Sequence, residues 1–454
     1  MFVVTLPSSA AHDPLTFAKR VSEAGADLLE IRGDLTPNVP AFNTPLPLIV
    51  SPRNTSASLI TNLQPSYIDL ELGETTPIPS SATLIRSFHD YEKTPSLQAL
   101  LELTEQCRSE GADIIKIVTT INAYDDLATL ERLHAALPKE QKRIILGMGI
   151  RANYNRILSP FRNELTYTYV DEGEAAASGQ VALSLYKKTA HCKQPLVFGI
   201  LGSLNVKSGS PLIQNALFAA HDVDAVFTAF LSDNLDDAMS FIKQTKVQGL
   251  SVTTPFKKDI LSTLDDLDPL ARELQSVNTV VREDGEYKGY NKDEYGIREG
   301  YDFIKEGSAV AILGSGGVVP AVIHACKEKG IQEIQVFARS TEARLEIEKK
   351  FSIPSFDLSA VLKAKPDVLI CAVNADVPLP IPSAKPGAHA LDLRYGKATL
   401  FLKEAEQKGY QTHDGIPMLL QQALGQFQCF TGITPSSDDS QFLQSLFPMS
   451  YGKQ

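Results

Sequence analysis

The sequence predicts an α/β protein, with a (β/α)8 barrel followed by a two-lobed α/β region that includes a nucleotide-type lobe. Eight short apolar runs alternate with helix-like stretches over residues 1–186, which predicts the barrel. A basic and polar connector at 187–195 interrupts that pattern, and a glycine-rich turn at 314–317 later separates a strand from a helix. The 454 residues exceed what one hydrophobic core organises, so several domains are expected.

The barrel strands are expected to be buried on both faces, because their apolar runs are nearly continuous rather than alternating with polar residues. The segments between the runs, such as 96–111, carry apolar residues at the helical period of about 3.6. The functional residues of such a barrel lie at the C-terminal ends of its strands. The eight runs are 2–6, 28–32, 47–51, 67–72, 83–88, 113–118, 143–148 and 166–170.

The remainder of the chain is predicted to form a second α/β region. A new strand pattern begins at 196–201, and residues 308–340 follow the order strand, glycine-rich turn, helix and strand. A helical segment then returns to the first lobe. The predicted domains are a barrel at 1–190, a lobe at 196–300 that is completed by 413–454, and a Rossmann-type nucleotide lobe at 301–412.

Composition and charge exclude several classes of partner. The chain has 43 Lys and Arg against 54 Asp and Glu, a net charge of −11, and no basic cluster, so neither nucleic acid nor an anionic membrane is an expected partner. No basic leader precedes MFVVTLPSSA and no apolar run reaches membrane-spanning length, so a cytoplasmic protein is expected. The five cysteines are scattered and the eight histidines lack ligand spacing, so neither a disulfide framework nor a metal site is expected.

Lys116 is a candidate nucleophile. It lies inside the apolar run DIIKIVTT, where burial disfavours the charged ammonium. A neutral amine there can attack a ketone and form a Schiff base. Position alone is more typical of a lysine whose head reaches the barrel rim or pairs with a carboxylate. Both interpretations remain open on the residues alone.

Polar residues at the ends of neighbouring strands are expected to converge at one mouth of the barrel. A histidine beside an iminium can take the neighbouring proton and return a proton to a leaving hydroxyl, and His89 in SFHD fits that role. A lone histidine is more often a hydrogen-bonded core residue. The other strand-end residues are Glu30, Arg32, Arg53, Asp69, Glu71 and Met148.

The segments DLEL (69–72), LIRSFHD (84–90) and GADIIKIVTT (111–120) resemble type I 3-dehydroquinate dehydratase in order and spacing. This resemblance covers nearly all of the first 186 residues, and it implies that Lys116 forms the imine and His89 is the general acid and base. It also implies that Arg156 binds the substrate carboxylate and that Gln180 belongs to a closing loop. The chain departs from the family pattern at Ala57 and Ala176, where an acid and a loop serine are expected. The implied pocket residues are Glu30, Arg32, Arg53 and Met148.

The glycine-rich turn after VAIL is a candidate nucleotide site. It presents bare backbone at a helix N-terminus, where a pyrophosphate binds well, although such turns also occur without nucleotides. At the end of the next strand, Arg339 stands where an NAD-binding protein carries an acid for the ribose, which favours NADPH over NADH. Arg344 is a second candidate contact, or part of a solvated helix face. The turn residues are Gly314, Ser315, Gly316 and Gly317.

A second lysine, Lys257, ends GLSVTTPFK (249–257), and SVNTVV (276–281) and GYNKDEYG (289–296) follow it. An amide and a carboxylate near a lysine can hold a polyhydroxylated ring and pass a proton during carbonyl reduction. This set resembles shikimate dehydrogenase across 196–450, which implies that Lys257 and Asp293 are the catalytic pair. The implied substrate contacts are Ser208, Ser210, Thr253, Asn278, Tyr395 and Gln422.

Together the two resemblances imply a bifunctional enzyme of the shikimate pathway. The barrel would dehydrate 3-dehydroquinate to 3-dehydroshikimate, and the second region would reduce that ketone to shikimate with NADPH. One alternative is an NAD-dependent quinate/shikimate dehydrogenase fused to a dehydratase. The other is a non-catalytic sensor of the same metabolites. A buried amine beside a general base counts against this second alternative.

Overall fold

The computed structural model describes residues 1–53, 58–396 and 399–446. The chain divides into two compact units, Met1–Val247 and Gln248–Gln454. The first unit contains the predicted barrel and the first two strands of the second α/β region, and the second unit contains the rest of that region. Within the described ranges, no helix is both long and apolar enough to cross a membrane, and no group of three or more potential ligands is placed to hold a metal ion.

All eight predicted barrel strands form. They are β1 (Phe2–Thr5), β2 (Leu28–Arg32), β3 (Leu48–Ser51), β4 (Tyr67–Glu71), β5 (Thr83–Asp90), β6 (Ile114–Thr120), β7 (Arg143–Met148) and β8 (Thr166–Tyr169), and a short β9 (Val181–Ala182) follows. Neighbours run parallel in the order β7-β6-β5-β4-β3-β2-β1-β8-β9.

The amide side chain of Asn163, just before β8, links that strand to β7. Its Oδ1 accepts from the Ile145 N–H at 3.0 Å, and its Nδ2 donates to the Ile145 carbonyl at 3.3 Å. β7 is the first strand in this order and β8 is the last long one. The two bonds satisfy backbone groups on the edge of β7 that faces β8. The predicted barrel fold class is therefore confirmed.

The helices around the barrel do not follow every strand. The connections 33–47 and 72–82 are described throughout and contain no α-helix. Both are rich in proline, which lacks the N–H that a helix interior requires and clashes with the preceding turn. The helices of the described part of the barrel are α1 (Pro14–Glu23), α2 (Ser58–Leu63), α3 (Leu97–Ser109), α4 (Tyr124–Ala136), α5 (Asn153–Ile157), α6 (Ser159–Arg162) and α7 (Leu183–Lys188).

The interior of the barrel has an apolar layer at the N-terminal side of the strands. Leu28 on β2 and Ile114 on β6 belong to this layer. Because alternate residues of a strand point to the same face, the residues two positions further along, Glu30 and Lys116, also face the interior. The polar site is thus placed directly above a packed apolar floor.

The first unit continues with β10 (Leu196–Gly202), α8 (Ser210–Ala220), β11 (Ala225–Leu231) and α9 (Leu235–Gln244), and β10 pairs with β11 in parallel. These elements pack against the barrel. The Tyr124 hydroxyl donates to the Leu231 carbonyl at 3.2 Å, and Arg151 pairs with Asp233 at 2.6 Å.

The second unit begins with a small antiparallel arrangement, in which β14 pairs with both β12 and β15. Helix α11 (Asp293–Gly300) follows β15 and packs closely against α15 (Ile416–Thr431), since a Cβ on Gly296 would lie 2.7 Å from the Met418 carbonyl oxygen. The elements are β12 (Gly249–Val252), β13 (Asp266–Leu267), α10 (Pro269–Leu274), β14 (Thr279–Glu283), β15 (Glu286–Tyr290), α11 (Asp293–Gly300), α15 (Ile416–Thr431) and α16 (Ser437–Leu446).

The nucleotide-type lobe is a six-stranded parallel sheet. Its elements are β16 (Ala309–Leu313), α12 (Val319–Glu328), β17 (Glu333–Ala338), α13 (Thr341–Phe351), β18 (Ser355–Asp357), β19 (Val368–Cys371), β20 (His389–Asp392), α14 (Leu400–Gln407) and β21 (Gln411–His413). The strand order is β18-β17-β16-β19-β20-β21, all parallel. The order reverses between β16 and β19, which is where doubly wound sheets bind ligands.

Candidate active sites

The barrel contains a cavity of about 410 Å³ at the C-terminal ends of its strands. The structure brings together at this cavity the barrel residues for which the sequence implies a catalytic or substrate-binding role, whereas the strand-end acids Asp69 and Glu71 do not line it. The predicted residues that line it are Glu30, Arg32, Arg53, His89, Lys116, Met148, Arg156 and Gln180.

Lys116 lies in the middle of β6 and is 4% exposed. Its Nζ donates to Asp69 Oδ2 at 2.6 Å and to the Tyr167 hydroxyl at 3.0 Å. Lys116 therefore pairs with a carboxylate, as one of the two interpretations predicts. It also lines the cavity, as the other interpretation requires. Asp69 therefore places a carboxylate charge in direct contact with the buried amine.

Asp69 is fully buried between two cations. Lys116 and Arg53 both contact its Oδ2, Arg53 at 3.2 Å. Burial by itself opposes ionisation of Asp69, but the charges of Lys116 and Arg53 outweigh it and hold the pKa of Asp69 well below its ordinary value. Arg53 also pairs with Glu71, so a chain of alternating charges runs across the floor of the cavity.

His89 is almost fully buried at the end of β5. Its Nδ1 lies 2.5 Å from Glu71 Oε1, and its Nε2 lies 3.5 Å from Arg53 Nη2. Burial lowers the pKa of His89 below its ordinary value; Glu71 opposes this change, and the charges of Lys116 and Arg53 add to it. The imidazole is therefore neutral near pH 7 and is able to accept a proton.

Arg156 supplies a buried positive charge to the cavity. Its Nε donates to the Gly147 carbonyl at 2.6 Å, and burial lowers its pKa to about 10. Among the described residues no carboxylate pairs with this guanidinium, so an anionic group entering the cavity would compensate it. Glu30, by contrast, already accepts from Thr5 at 2.6 Å and from Ser51 at 2.9 Å.

The loop that carries Gln180 lies against the cavity. The Ala176 N–H donates to Gln180 Oε1 at 2.9 Å, so the backbone at the departure Ala176 holds the glutamine side chain. Gly179 has φ +85°, and a Cβ there would lie 2.5 Å from the Gly149 carbonyl oxygen, so this position requires glycine. The other departure, Ala57, lies outside the described residues.

A second lysine site lies in the second unit. Lys257 Nζ donates to Asp293 Oδ2 at 2.5 Å, and the Asp293 side chain is 1% exposed. Asn278 Nδ2 donates to the other oxygen of Asp293 at 2.9 Å and lies 3.5 Å from Gln422 Oε1. The three segments predicted to form one site therefore meet, and Gln422 joins them.

The remaining substrate residues predicted for this site lie at strand and helix ends. Thr253 directly follows β12, and the partly exposed Tyr395 follows β20. Ser208 and Ser210 belong to the first unit, where the Ser208 hydroxyl donates to the Ser210 hydroxyl at 3.0 Å and Ser210 begins α8. Gln426 also reaches this site and was not predicted from the sequence. It follows Gln422 by one helical turn, and its Nε2 donates to the Asn278 carbonyl at 3.0 Å.

A cavity of about 680 Å³ opens where the order of the nucleotide-type sheet reverses. Of the predicted nucleotide contacts, Gly314, Ser315, Gly316 and Arg339 line it. Gly317 and Arg344 are not among its lining residues. Arg344 instead donates from α13 to the Thr341 hydroxyl at 2.8 Å, which agrees with the alternative of a residue on the helix face.

The glycine-rich turn fits a dinucleotide. Gly314 has φ +113°, and a Cβ there would lie 3.0 Å from the Ala372 carbonyl oxygen, so the turn requires glycine. A Cβ on Gly317 would meet nothing within 4 Å, so the backbone before α12 is open to a phosphate. Arg339 is exposed directly after β17, where a guanidinium suits a ribose 2′-phosphate.

Comparison with known proteins identifies both halves of the chain. A model of type I 3-dehydroquinase matches residues 53–194, and a model of the shikimate dehydrogenase substrate-binding domain matches residues 200–280. Shikimate dehydrogenase (NADP(+)) of Bacillus cereus strain B4264 is 32% identical over 53% of this chain and 94% of its own length. The chain belongs to the shikimate dehydrogenase family. Its N-terminal half is similar to type I 3-dehydroquinase over the matched residues.

One relative agrees with the predicted fusion, and two solved structures match about half of the chain. The bifunctional 3-dehydroquinate dehydratase/shikimate dehydrogenase, chloroplastic, of Arabidopsis thaliana is 29% identical over 91% of this chain and 79% of its own length. The crystal structure of Aquifex aeolicus shikimate dehydrogenase covers 55% of this chain and 97% of its own, with 30% identity and a TM-score of 0.51. The Thermus thermophilus enzyme in complex with NADP(H) and shikimate covers 55% and 99%, with 26% identity and a TM-score of 0.50.

Two tyrosines of the 3-dehydroquinase region line its cavity without having been predicted from the sequence. Tyr91 is stacked on His89 with ring centres 5.9 Å apart, and Tyr167 contacts Lys116. Tyr91 follows His89 by two residues, and the alternation of side chains along a strand places both on the same side. This spacing could have predicted Tyr91 from the sequence. Tyr167 is 51 residues from Lys116 in the sequence and has no local signal.

Proposed function

We propose that this chain is a bifunctional enzyme that dehydrates 3-dehydroquinate at the barrel cavity and reduces the resulting 3-dehydroshikimate to shikimate with NADPH in the second region. The observation that carries the proposal is the presence of two separate lysine–aspartate pairs, each with a buried aspartate. Lys116 with Asp69 faces a cavity that also holds the imidazole of His89 and a guanidinium, Arg156, for which the described residues supply no carboxylate partner. Lys257 with Asp293 lies beside two amide side chains. A non-catalytic sensor requires neither pair.

At the barrel site, Lys116 forms the imine with the ring ketone, which makes the neighbouring C–H more acidic. His89 removes that proton and then returns a proton to the leaving hydroxyl, a cycle that its lowered pKa supports because the base begins neutral. Arg156 binds the substrate carboxylate through its unpaired buried charge. The remaining pocket contacts are Glu30, Arg32, Arg53, Met148 and Gln180.

At the second site, Lys257 and Asp293 hold and transfer the proton that the reduced carbonyl oxygen receives. Asn278 fixes Asp293 through a hydrogen bond of 2.9 Å, so that the other oxygen of Asp293 faces Lys257. The bound dinucleotide supplies the hydride, and Gly314, Ser315, Gly316 and Arg339 would hold it. The other proposed substrate contacts are Ser208, Ser210, Thr253, Tyr395 and Gln422.

We also propose the domain division 1–190, 196–300 with 413–454, and 301–412, and small-molecule substrates as partners, with neither nucleic acid nor membrane among them. A cytoplasmic location is part of the same proposal. Net charge and composition support the choice of ligands, because an acidic surface disfavours nucleic acid and anionic lipid. The free thiols of all five cysteines support a reducing compartment.

The test is a pair of lysine variants assayed for both reactions in the full-length chain. Lys116→Ala is expected to abolish dehydration of 3-dehydroquinate and leave NADP-linked oxidation of shikimate intact, and Lys257→Ala is expected to do the reverse. Each variant thus serves as the folding control of the other. Loss of both reactions in either variant would contradict two independent sites.

A further inference from the structure

The hydroxyl of Tyr167 is in direct contact with the amine of Lys116. Tyr167 lies on β8, is 6% exposed and lines the barrel cavity. Lys116 Nζ donates to the phenol oxygen at 3.0 Å and lies 4.3 Å from the centre of the tyrosine ring. The phenol therefore touches the nitrogen that the proposed dehydration places in a covalent bond.

The two oxygen neighbours of Lys116 Nζ differ in what they can do with a proton. Asp69 is the first, and its pKa is held low despite burial by Lys116 and Arg53, so it is a poor proton acceptor. Tyr167 is the second, and burial raises its pKa well above the ordinary value, so it remains a protonated hydroxyl. Its oxygen accepts from Lys116, and no acceptor for its own hydrogen is found among the described residues, which leaves that hydrogen for a group in the cavity.

We propose that Tyr167 is a catalytic residue of the dehydratase site, which carries the proton of the Lys116 ammonium to the substrate carbonyl oxygen as the amine attacks. This inference rests on the proposed Schiff-base reaction and gives a route to it from the observed ion pair. An ammonium has no lone pair with which to attack, so its proton must leave while Asp69 still compensates the charge.

The step balances in atoms and charge. An N–H bond of Lys116 breaks and its proton passes to the phenol oxygen, while the phenol proton passes to the carbonyl oxygen. The nitrogen pair so released forms the bond to the carbonyl carbon, and the π pair of the carbonyl moves to its oxygen. The products are a positively charged carbinolamine, still beside Asp69, and an unchanged Tyr167.

His89 does not take this role in the observed geometry. Its Nδ1 faces Glu71 at 2.5 Å and its Nε2 faces Arg53 at 3.5 Å, so neither ring nitrogen contacts Lys116 Nζ. Tyr167 is the one neutral proton-donating group in contact with that nitrogen within the described part of the chain.

The test is the rate at which a covalent adduct forms on Lys116. The full-length chain is mixed with 3-dehydroquinate, quenched with borohydride at increasing times, and the Lys116 peptide is quantified by mass spectrometry. Tyr167→Phe keeps the ring against Lys116 but removes the hydroxyl, and is expected to slow adduct formation by about 100-fold, the usual scale of general acid–base catalysis. Tyr169→Phe, on the same strand but outside the cavity lining, is expected to keep the wild-type rate.

A Tyr167→Phe chain that forms the adduct at the wild-type rate overturns the role of Tyr167 alone, whereas a wild-type chain that forms no adduct overturns the Schiff-base function as well. Circular dichroism and the thermal midpoint establish that the variant is folded. A second measurement, the solvent isotope effect, uses only the wild type and so does not depend on whether the variant folds. Because two protons move in the step, adduct formation is expected to be slower in D2O, and equal rates in H2O and D2O contradict the relay.

Discussion

Replacing Asp69 by Asn tests the charge arrangement on which the barrel site rests. The change keeps the shape of the side chain but leaves Lys116 and Arg53 as buried cations without their shared counter-charge. Removing one partner of a buried ion pair costs about 3–5 kcal/mol. For a unit of the size of Met1–Val247, which contains the barrel, this corresponds to a fall of about 6–20 °C in the thermal midpoint.

Hydrogen exchange of the β6 peptide during heating reports on the barrel itself, which is necessary because the two units need not unfold together. The matched control is Asp125→Asn, whose carboxylate is 87% exposed in its pair with Arg132 and whose loss is expected to cost less than about 1 kcal/mol. If the two variants lose the same small amount of stability, the reasoning about Asp69 is refuted.

The pH dependence of this difference has a definite sign. Asp69 has a lowered pKa in the folded chain, so its contribution is fully present above the unfolded pKa of about 4 and is lost as the pH falls through the folded value. The wild type and Asp69→Asn should therefore differ by a constant amount near neutrality and converge in acid. A difference that stays constant down to pH 2 would show that the charge of Asp69 is not its cause.

The remaining predictions concern the general base and the nucleotide. Because burial lowers the pKa of His89, kcat/KM for dehydration is expected to fall on the acid side only below pH 6.5, as the imidazolium forms and can no longer accept a proton; an acid limb at pH 7 or above in the rate profile contradicts this. Arg339→Ala is expected to raise KM for NADPH by about 10–100-fold, the value of a charged hydrogen bond, with little change for NADH. Arg344→Ala is its control and should change neither KM, because Arg344 does not line the cavity. Equal effects of Arg339→Ala on both cofactors, in steady-state assays, would remove the 2′-phosphate role.

The secondary structure and the identity of most site residues were predictable because they depend on local patterns. Each barrel strand is an apolar run buried on both faces, so composition over four to eight residues predicts it. The turn at Gly314 was predictable for a similar reason, since a positive φ next to a close backbone contact tolerates no side chain. The missing helices at 33–47 and 72–82 also had a local signal, proline, that the regular barrel pattern obscured.

The two arginines predicted to contact the nucleotide differ in where they lie relative to α13. Arg339 directly follows β17 and lines the cavity, whereas Arg344 lies on α13 and bonds to Thr341. Five residues of sequence separate them, and the two side chains are chemically identical. Arg339 precedes α13 and Arg344 lies within it, and this difference in position accompanies the difference in cavity lining.

Local sequence patterns identify the side chains that this protein uses for chemistry: two lysines in apolar strands or turns, a histidine at a strand end, and a glycine turn before a helix. The surroundings of those groups, by contrast, come from tertiary contacts. Lys116 meets Asp69 and Tyr167 across 47 and 51 residues of chain, and Lys257 meets Asp293 across 36. Charge compensation and proton transfer act over a few ångströms, so they depend on the closure of the barrel and the crossing of strands rather than on any local pattern.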